Sequence, residues 1–358
     1  MGLRKNMNFL NNYKGKKVLI TGHTGFKGAW LTQILLDLGA DVAGYALEPY
    51  HERGLYNELR LSEKCRSIIA DIRDQEELEK CIVEFQPDFI FHLAAQSLVL
   101  TSYQDPIETY GVNVMGTVHL LNSVRKLNQR CSVVVITTDK VYKNKEWEYP
   151  YRENDPLGGY DPYSSSKACC EIAMTSFRDS FFNFNEIANH KKYISSARAG
   201  NVIGGGDFSD NRLIPDLVKS LEANETLILR SPKAVRPWQH VLEPLFFYLK
   251  LAVLQLSDPS KYCGEYNIGP ENDDILTVEE LVQIAIEVFG KGHYECTGEQ
   301  LVHEATTLKL DISKSKKMLN WSPLYNSREA IQKTMSWYES KDKIKTTRSQ
   351  IEEFIREF

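Results

Sequence analysis

The sequence lacks long apolar runs, because no stretch of its 358 residues approaches the roughly 18 apolar residues needed to span a bilayer. Residues 1–17 mix lysine, arginine and asparagine and lack the apolar core of a secretory signal. We therefore expect no membrane partner and a cytoplasmic location.

Cysteine pairs at metal-binding spacing are also missing. The seven cysteines are scattered, none forms a C-x-x-C pair, and no histidine cluster stands beside them. This pattern predicts reduced thiols and no metal site. Basic residues are not in excess, since the formal net charge is −5, which argues against nucleic acid as the main partner.

What the sequence does contain is an alternation of short β-branched runs with amphipathic segments over residues 16–180. Strands are predicted at 18–20, 41–47, 88–93 and 132–137, and helices at 30–38, 75–85 and 113–127. Continuous apolar strands separated by helices indicate a parallel sheet covered on both faces. The predicted fold class is therefore α/β, a doubly wound Rossmann sheet with a smaller, mixed C-terminal substrate domain.

The domain organisation follows from a change in the sequence pattern after about residue 197, where the predicted elements become shorter and are interrupted by glycine and proline. We expect a dinucleotide-binding domain from residues 13–200 with 237–270. Residues 201–236 with 271–340 would form the substrate domain. Residues 341–358 would form a helical tail, peripheral or at an oligomer contact.

A G-x-x-G-x-x-G turn follows the first predicted strand, with Thr24 and Phe26 between Gly22, Gly25 and Gly28. Glycines here permit a tight turn, a close approach of backbone N–H groups to a pyrophosphate, and close packing of helix on sheet. The helix N-terminus adds a partial positive charge. The turn therefore predicts a dinucleotide cofactor.

The acid expected to bond the adenosine ribose lies about 20 residues beyond the last glycine, where Glu48 stands. A solvated loop carboxylate is the alternative for that residue. Asp71 and Ile72, after a third short strand, are placed to meet the adenine. No arginine follows Glu48 directly, which favours NAD over NADP, although His51 and Arg53 leave that choice open.

Tyr163 and Lys167 lie four residues apart and would share one face of a helix. A tyrosine hydroxyl has an ordinary pKa of about 10, and a neighbouring Lys⁺ together with a nicotinamide charge would lower it. Such a tyrosine can take a proton from a sugar hydroxyl while hydride leaves the same carbon.

The chain resembles the extended short-chain dehydrogenase/reductase family, and the resemblance covers nearly its whole length. The residues that carry it are Gly22, Gly25, Gly28, His92, Leu93, Ala94, Ala95, Gln96, Asn113, Thr138, Tyr163 and Lys167. The resemblance implies that Leu93, Ala94, Ala95, Asn113 and Thr137 contact the cofactor. It also implies that Lys167 bonds the nicotinamide ribose, and that Gln96 and Thr138 contact the sugar.

Within that family the residues after Thr138 indicate the reaction. Simple epimerases usually have small residues there, whereas this chain has Asp139 and Lys140, which suggests elimination of water across carbons 5 and 6 of the sugar. Longer strings at residues 22–28, 158–163, 198–207 and 236–244 resemble the branch acting on CDP-glucose. The resemblance then implies Asp139 as the acid, with its pKa raised by burial. Lys140 would be either the carbon-5 base or a charge that stabilises the enolate.

The nucleotide diphosphate would meet Asn201, Arg212, Leu213 and Arg236, with Arg236 offering a planar bidentate fork. Many family members carry a further arginine near the C-terminal end. The comparable stretch of this chain, residues 307–311, has none, so His303 or Lys309 would have to substitute.

Two other interpretations stay open at this stage. One is a dehydratase or epimerase acting on a dTDP- or UDP-hexose, and the other is an NAD-binding protein without activity. By resemblance only, we expect a homodimer or homotetramer, and a role in deoxysugar biosynthesis for a lipopolysaccharide O-antigen.

Overall fold

The structure is a computed structural model that describes residues 7–229, 231–274, 276–297 and 308–358. Its strands are β1 (Lys17–Thr21), β2 (Asp41–Ala46), β3 (Arg66–Ile69), β4 (Phe89–His92), β5 (Cys131–Thr138), β6 (Lys192–Ala199), β7 (Asn201–Ile203), β8 (Thr226–Leu229), β9 (Val235–Arg236), β10 (Trp238–His240), β11 (Glu265–Ile268), β12 (Leu276–Thr277) and β13 (His293–Cys296).

Helices lie between most of these strands. They are α1 (Phe26–Asp37), α2 (Leu55–Glu58), α3 (Gln75–Phe85), α4 (Val99–Gln104), α5 (Pro106–Tyr110), α6 (Gly116–Val124), α7 (Pro162–Ser180), α8 (Ile187–His190), α9 (Leu213–Ala223), α10 (Leu242–Ser257), α11 (Pro259–Tyr262), α12 (Val278–Phe289), α13 (Ser313–Leu319), α14 (Ser327–Glu339) and α15 (Lys343–Glu357). A single π-helical turn, Gly111–Met115, joins α5 to α6.

The central sheet has seven strands in the order β11-β6-β5-β4-β1-β2-β3, all parallel. The chain moves outward from β1 to β3 and then returns to the other side of β1 with β4. This reversal is the topological switch point at which doubly wound folds bind ligands, beside the carboxyl ends of the strands. The predicted doubly wound Rossmann sheet is therefore confirmed.

One face of the sheet is covered by α3, α6 and α7. Helix α3 shows why the local sequence is helical: Asp74 caps it by accepting a hydrogen bond from the Glu77 N–H, and Leu78, Ile82 and Phe85 recur on the buried side. These side chains pack with alternate strand residues in one apolar cluster. The helix begins and ends at the predicted residues, 75 and 85.

The opposite face is covered by α1 and α10 and continues into the C-terminal part of the chain. Trp30 of α1, Phe246 of α10 and Trp337 of α14 are fully buried and belong to one apolar cluster. The Trp30 indole donates to the Gly205 carbonyl at 2.9 Å, which ties α1 to the loop after β7. The two parts of the chain thus share a core, and the domain boundaries given above stay a prediction.

The C-terminal part is mixed, as expected, with β10–β7 and β13–β8 parallel and β12–β9 antiparallel. Capping boxes begin two of its helices, Thr277 with Glu280 at α12 and Asn326 with Glu329 at α14. The last helix, α15, buries Phe354 completely, with its ring stacked 4.8 Å from Phe246. This helix therefore has a packing role within the chain.

The first residues of two helices differ from the sequence-based expectation by three or four residues. Helix α1 begins at Phe26 rather than at residue 30, because Gly25 is extended and the turn enters the helix directly. Residues 113–115 lie in the π-helical turn, so α6 begins at Gly116. Among the described residues, no helix combines the length and the apolar character that crossing a membrane requires.

Candidate active site

The turn between β1 and α1 comes so close to its neighbours that only glycine fits at two positions. Gly22 has a φ of +77°, and a Cβ there would lie 2.7 Å from the Ala94 nitrogen. A Cβ at Gly28 would lie 2.0 Å from the Gly22 carbonyl oxygen. The glycines thus bring the N-terminus of α1 against the end of β4. The first N–H groups of a helix have no partner in their own helix, which makes this edge fit for a phosphate group.

A buried polar chain fixes the segment that follows β4. The Thr21 hydroxyl and His92 Nδ1 lie 2.7 Å apart, and His92 Nε2 lies 3.1 Å from the Thr117 hydroxyl. Burial lowers the pKa of His92 to about 3, so the ring is neutral at ordinary pH. The Ala94 N–H donates to the same Thr21 hydroxyl at 3.2 Å. The half-buried residues Leu93, Ala94 and Ala95 are therefore held at the mouth of the switch point.

Asn113 and Gln96 make their contacts within the protein. The Asn113 amide accepts from the Gln96 N–H at 2.9 Å and donates to the Ser166 hydroxyl at 2.8 Å. The Gln96 amide donates to the Thr109 hydroxyl at 2.9 Å and accepts from the Leu98 N–H. Both side chains thus clamp the loop after β4 onto the helices below it. Their predicted contacts with cofactor and sugar stay predictions.

On the adenosine side, Glu48 is exposed two residues beyond β2. The Thr24 hydroxyl donates to the Leu47 carbonyl at 2.9 Å, which joins the glycine turn to that loop. The Asp71 carboxylate is bonded by the Arg73 guanidinium, which lowers the pKa of Asp71. The expected adenine contact of Asp71 would have to share this carboxylate with Arg73.

The remaining two predicted cofactor contacts near this turn are apolar. Ile72 is buried, and a Cβ added to Gly116 would lie 2.9 Å from its side chain, so it packs under α6. The half-buried Phe26 ring points toward Gly204, where an added Cβ would lie 3.1 Å from Phe26 Cζ. Phe26 therefore links the turn to the loop after β7.

Helix α7 presents the predicted tyrosine and lysine from its first turns. Pro162 occupies the first helical position, and Asp161 caps the helix by accepting from the Ser164 N–H at 2.8 Å. A Cβ at Gly159 would lie 2.1 Å from the Ser165 nitrogen, so the loop before the helix needs glycine there. Tyr163 is consequently fixed close to the carboxyl end of β5.

Three of the predicted catalytic residues meet where β5 ends. The Thr138 hydroxyl donates to Asp139 Oδ1 at 2.9 Å, and Thr138 also hydrogen-bonds with Tyr163. Asp139 is buried, and its Oδ2 finds no hydrogen-bond partner in the described part of the chain. Burial raises the pKa of Asp139 against the opposing charges of Lys140 and Arg236. The site thus holds a carboxyl group that is disposed to carry a proton.

The pKa of Tyr163 differs from the sequence-based expectation. Burial raises it to about 12, and the charge of Arg212 and the hydrogen bond with Thr138 only partly offset this. The expected lowering by Lys167 is therefore wrong for the chain by itself. Lys167 is buried and donates to the Ile136 carbonyl at 3.2 Å, and burial lowers its own pKa. Desolvation is the largest cause of both shifts, and neither group is among the main influences on the other's pKa.

Sequence reasoning missed the buried ion pair below this helix. Glu171 accepts from Arg198 at 2.9 Å and from the Thr137 hydroxyl at 2.5 Å. The predicted cofactor contact of Thr137 therefore competes with this bond. Glu171 stands four residues after Lys167 on the same helix face, and that spacing was the available signal. The partner Arg198, on β6, carried no local signal.

The predicted substrate residues approach from the other half of the cleft. Arg212 precedes α9 and bonds Asp207 at 3.1 Å and the Ser97 hydroxyl at 2.9 Å. Leu213 begins α9 and is half-buried against the core. Asn201 begins β7 and pairs in register with Trp238.

Arg236 lies on β9, and its positive charge acts on Asp139, so it belongs to the same cleft. His303 lies outside the described residues. Lys309 is half-buried, and its backbone carbonyl accepts from the Tyr151 N–H at 2.9 Å. Arg212 and Arg236 thus place two guanidinium groups on the substrate side.

The sequence model of the GDP-mannose 4,6 dehydratase family matches residues 19–334, which include every strand of the central sheet except the first residues of β1. The chain belongs to this family. A relative named CDP-glucose 4,6-dehydratase, from Salmonella typhimurium strain LT2, is 46% identical over 331 residues, 92% of each chain.

Solved structures share the fold at lower identity. An epimerase of Methanothermobacter thermautotrophicus, Mth375, has a TM-score of 0.80 at 21% identity and covers 99% of this chain and 98% of its own. A dTDP-glucose 4,6-dehydratase of Bacillus anthracis in complex with NAD has a TM-score of 0.74 at 24% identity, with coverage of 93% and 100%. These likenesses place the chain in the fold of the family.

The raised pKa of Asp139 predicts a pH-dependent gain of stability in Asp139→Asn. The folded state favours the protonated acid more than the unfolded chain does, so this stabilisation is present at low pH and is lost as pH rises through the folded pKa. Asparagine has no charge to bury and keeps an acceptor for Thr138. We expect Asp139→Asn to be more stable than wild type at pH 8, by a margin that shrinks toward pH 4, in urea denaturation.

Asp179→Asn serves as the control, because Asp179 is exposed on α7. It should leave the free energy of unfolding within about 0.5 kcal/mol of wild type at both pH values. If Asp139→Asn is instead less stable than wild type at pH 8, other interactions in the folded protein must offset the cost of burying the Asp139 charge.

Proposed function

We propose that the chain is an NAD-dependent CDP-glucose 4,6-dehydratase, which forms CDP-4-keto-6-deoxyglucose and water. The observation that carries this is the buried Asp139, with a free Oδ2 and a raised pKa, beside Thr138 and Tyr163. An epimerase needs no acid at this position, whereas a dehydratase must protonate a departing hydroxyl. The 46% identity with a CDP-glucose 4,6-dehydratase over 92% of both chains supports the nucleotide.

The residues of the switch point fit NAD. A Cβ at Gly22 or Gly28 would collide with the backbone around the turn between β1 and α1. With glycine at both positions, the turn leaves the N-terminus of α1 open to a diphosphate. Bound NAD would accept a hydride from carbon 4 of the sugar and return it to carbon 6. Gly22, Gly25 and Gly28 would hold the diphosphate, and Lys167 the nicotinamide ribose.

Tyr163 would remove the proton of the 4-hydroxyl in the first step. Its hydrogen bond with Thr138 and the charge of Arg212 both favour the phenolate, although burial opposes it. Thr138 would also orient the 4-hydroxyl, because its side chain lies between Tyr163 and Asp139. The resulting ketone acidifies the proton on carbon 5.

Elimination would then use the residues that follow β5. Asp139 would protonate the departing 6-hydroxyl, because its raised pKa keeps a proton available in the buried site. Lys140 would either remove the carbon-5 proton or stabilise the enolate by its charge. Arg212 and Arg236 would bind the diphosphate of the substrate as guanidinium forks.

The choice of nucleotide is tested by incubating the protein and NAD with CDP-, dTDP- and UDP-glucose in deuterated water. We expect a 4-keto-6-deoxy product from CDP-glucose, with deuterium at carbon 5. A product from dTDP- or UDP-glucose alone would move the assignment to that nucleotide. Inversion at carbon 4 without loss of water would make the chain an epimerase.

The division of labour is tested by two variants. Tyr163→Phe is expected to lower oxidation of carbon 4 by about 10² to 10⁴-fold, since it removes the proton acceptor. Lys140→Ala should still reduce bound NAD in a single turnover, seen by its absorbance, but release no 6-deoxy product. Tyr149→Phe, at an exposed site, is the control. Full turnover by Lys140→Ala would refute both of its roles.

We further propose that the chain is a homodimer or homotetramer paired through α5 and α7. Ile107 on α5, Met115 on the π-helical turn after it and Ile172 on α7 are 85%, 47% and 58% exposed. Apolar side chains at such exposure favour burial by a second copy. Ile107→Glu with Ile172→Glu should yield monomers in analytical ultracentrifugation, while Ile344→Glu on α15 should not. Unchanged assembly in the double variant would rule out this face.

A cytoplasmic location is proposed on the state of the thiols. All seven cysteines are free, and Cys81, Cys131 and Cys170 are buried, which suits a reducing compartment. Cell fractionation tests this. Use of the product in a lipopolysaccharide O-antigen stays a prediction.

A further inference from the structure

Lys27 is a lysine in the middle of the glycine turn, between Gly25 and Gly28, in the first turn of α1. Its side chain runs inward, because its Nζ lies 6.0 Å from the ring centre of Tyr248 on α10. Tyr248 is fully buried and its hydroxyl has no hydrogen-bond partner within the described ranges. Two polar groups therefore reach the same interior space beside the N-terminus of α1.

The charged groups around Lys27 come from separate elements and are mostly positive. Lys167 of α7 and Arg212 before α9 act against the Lys27 charge. Among the residues that the structure describes, only Asp139 after β5 acts in its favour. Asp139 is itself disposed to carry a proton, which weakens that support. Lys27 itself thus has little anionic compensation among the described residues.

Lys27 also differs from its cationic neighbours in its bonds. Arg212 pairs with Asp207 and Lys167 donates to the Ile136 carbonyl. Lys27 Nζ makes neither a hydrogen bond nor an ion pair with any residue that the structure describes. The contact that the structure does show for Lys27 Nζ is with the Tyr248 ring, whose centre is 6.0 Å away. Lys27 is half-buried in the cleft, and a partly desolvated cation without a bonded partner is costly, so an anionic ligand would supply the missing partner.

We propose that the Lys27 side chain binds a diphosphate group in the cleft and takes up a proton when it does so. This inference rests on the proposed function, which supplies two such groups, in NAD and in the CDP-sugar. Both share the chemistry that Lys27 would recognise, a doubly charged diphosphate next to a helix N-terminus.

The proton uptake follows from the state of Lys27 before the ligand binds. Burial, together with the charges of Lys167 and Arg212, lowers the pKa of Lys27 to about 7. A bonded diphosphate favours the ammonium and raises that pKa again. Between the two values the ligand-free lysine is neutral and the bound lysine is charged. Binding therefore consumes a proton and weakens as pH rises above 7.

The test is isothermal titration calorimetry of the full chain, freed of bound nucleotide on charcoal, with NAD and with CDP as separate probes. Titrations in two buffers of different ionisation enthalpy give the protons taken up. For a free pKa of about 7, we expect about 0.9 proton per ligand at pH 8 for the probe that meets Lys27. Proton uptake with NAD but not with CDP would show that Lys27 binds the diphosphate of the cofactor. Proton uptake with CDP but not with NAD would show that it binds the diphosphate of the substrate.

Two substitutions separate charge from proton uptake. Lys27→Met should bind the same probe about tenfold or more weakly at pH 7 and take up no proton. Lys27→Arg should also take up no proton, because guanidinium stays charged, but should keep its affinity between pH 7 and pH 9. Lys126→Met, at an exposed site, should behave as wild type. Thermal melting establishes that each variant is folded.

The outcomes distinguish this inference from the function on which it rests. Wild-type binding without proton uptake, or uptake that survives in Lys27→Met, overturns the role of Lys27 and leaves the dehydratase proposal standing. Absence of binding by both probes in wild type and in Lys126→Met overturns the two together.

Discussion

The close approach of the β1–α1 turn to the end of β4 is the constraint on which the rest of the site depends. Gly22 and Gly28 have no room for a Cβ. The contact between Thr21 and His92 holds the end of β1 against the end of β4. Because β4 and β5 are parallel neighbours, this approach also sets the distance from the helix N-terminus to Thr138 and Asp139. A bulkier turn would move the N-terminus of α1 away from Asp139.

Burial of charge is the second constraint, and it favours the neutral form of four groups in the cleft. It raises the pKa values of Tyr163 and Asp139 and lowers those of Lys167 and Lys27. Each group is thus pushed toward its neutral form when no ligand is bound. Anionic and cationic parts of the ligands can then restore the charged forms where they are needed, so that the chemistry is coupled to binding.

Much of the fold could be predicted from local sequence, because strands and helices have different apolar periods and glycine marks the turn. Helix α3 was predicted to the residue. The π-helical turn at Gly111–Met115 was not, since nothing in its apolar pattern differs from a helix. In the site, the sequence predicted the spacing of Tyr163 and Lys167 and the position of Asp139. It did not predict that the side chains of Asn113 and Gln96 form hydrogen bonds within the protein. Those bonds, like the Arg198–Glu171 pair, depend on distant elements that meet only in three dimensions.

The central claim is that the sugar is oxidised at carbon 4 only so that water can leave, after which the same hydride returns at carbon 6. The most direct test is a single incubation of the protein and NAD with a mixture of two substrates, CDP-glucose that carries deuterium at carbon 4 and CDP-glucose that carries ¹³C but no deuterium. Mass spectrometry should find the deuterium at carbon 6 of the product, confined to molecules without ¹³C. Deuterium lost to solvent, or found in the ¹³C molecules, would contradict the account.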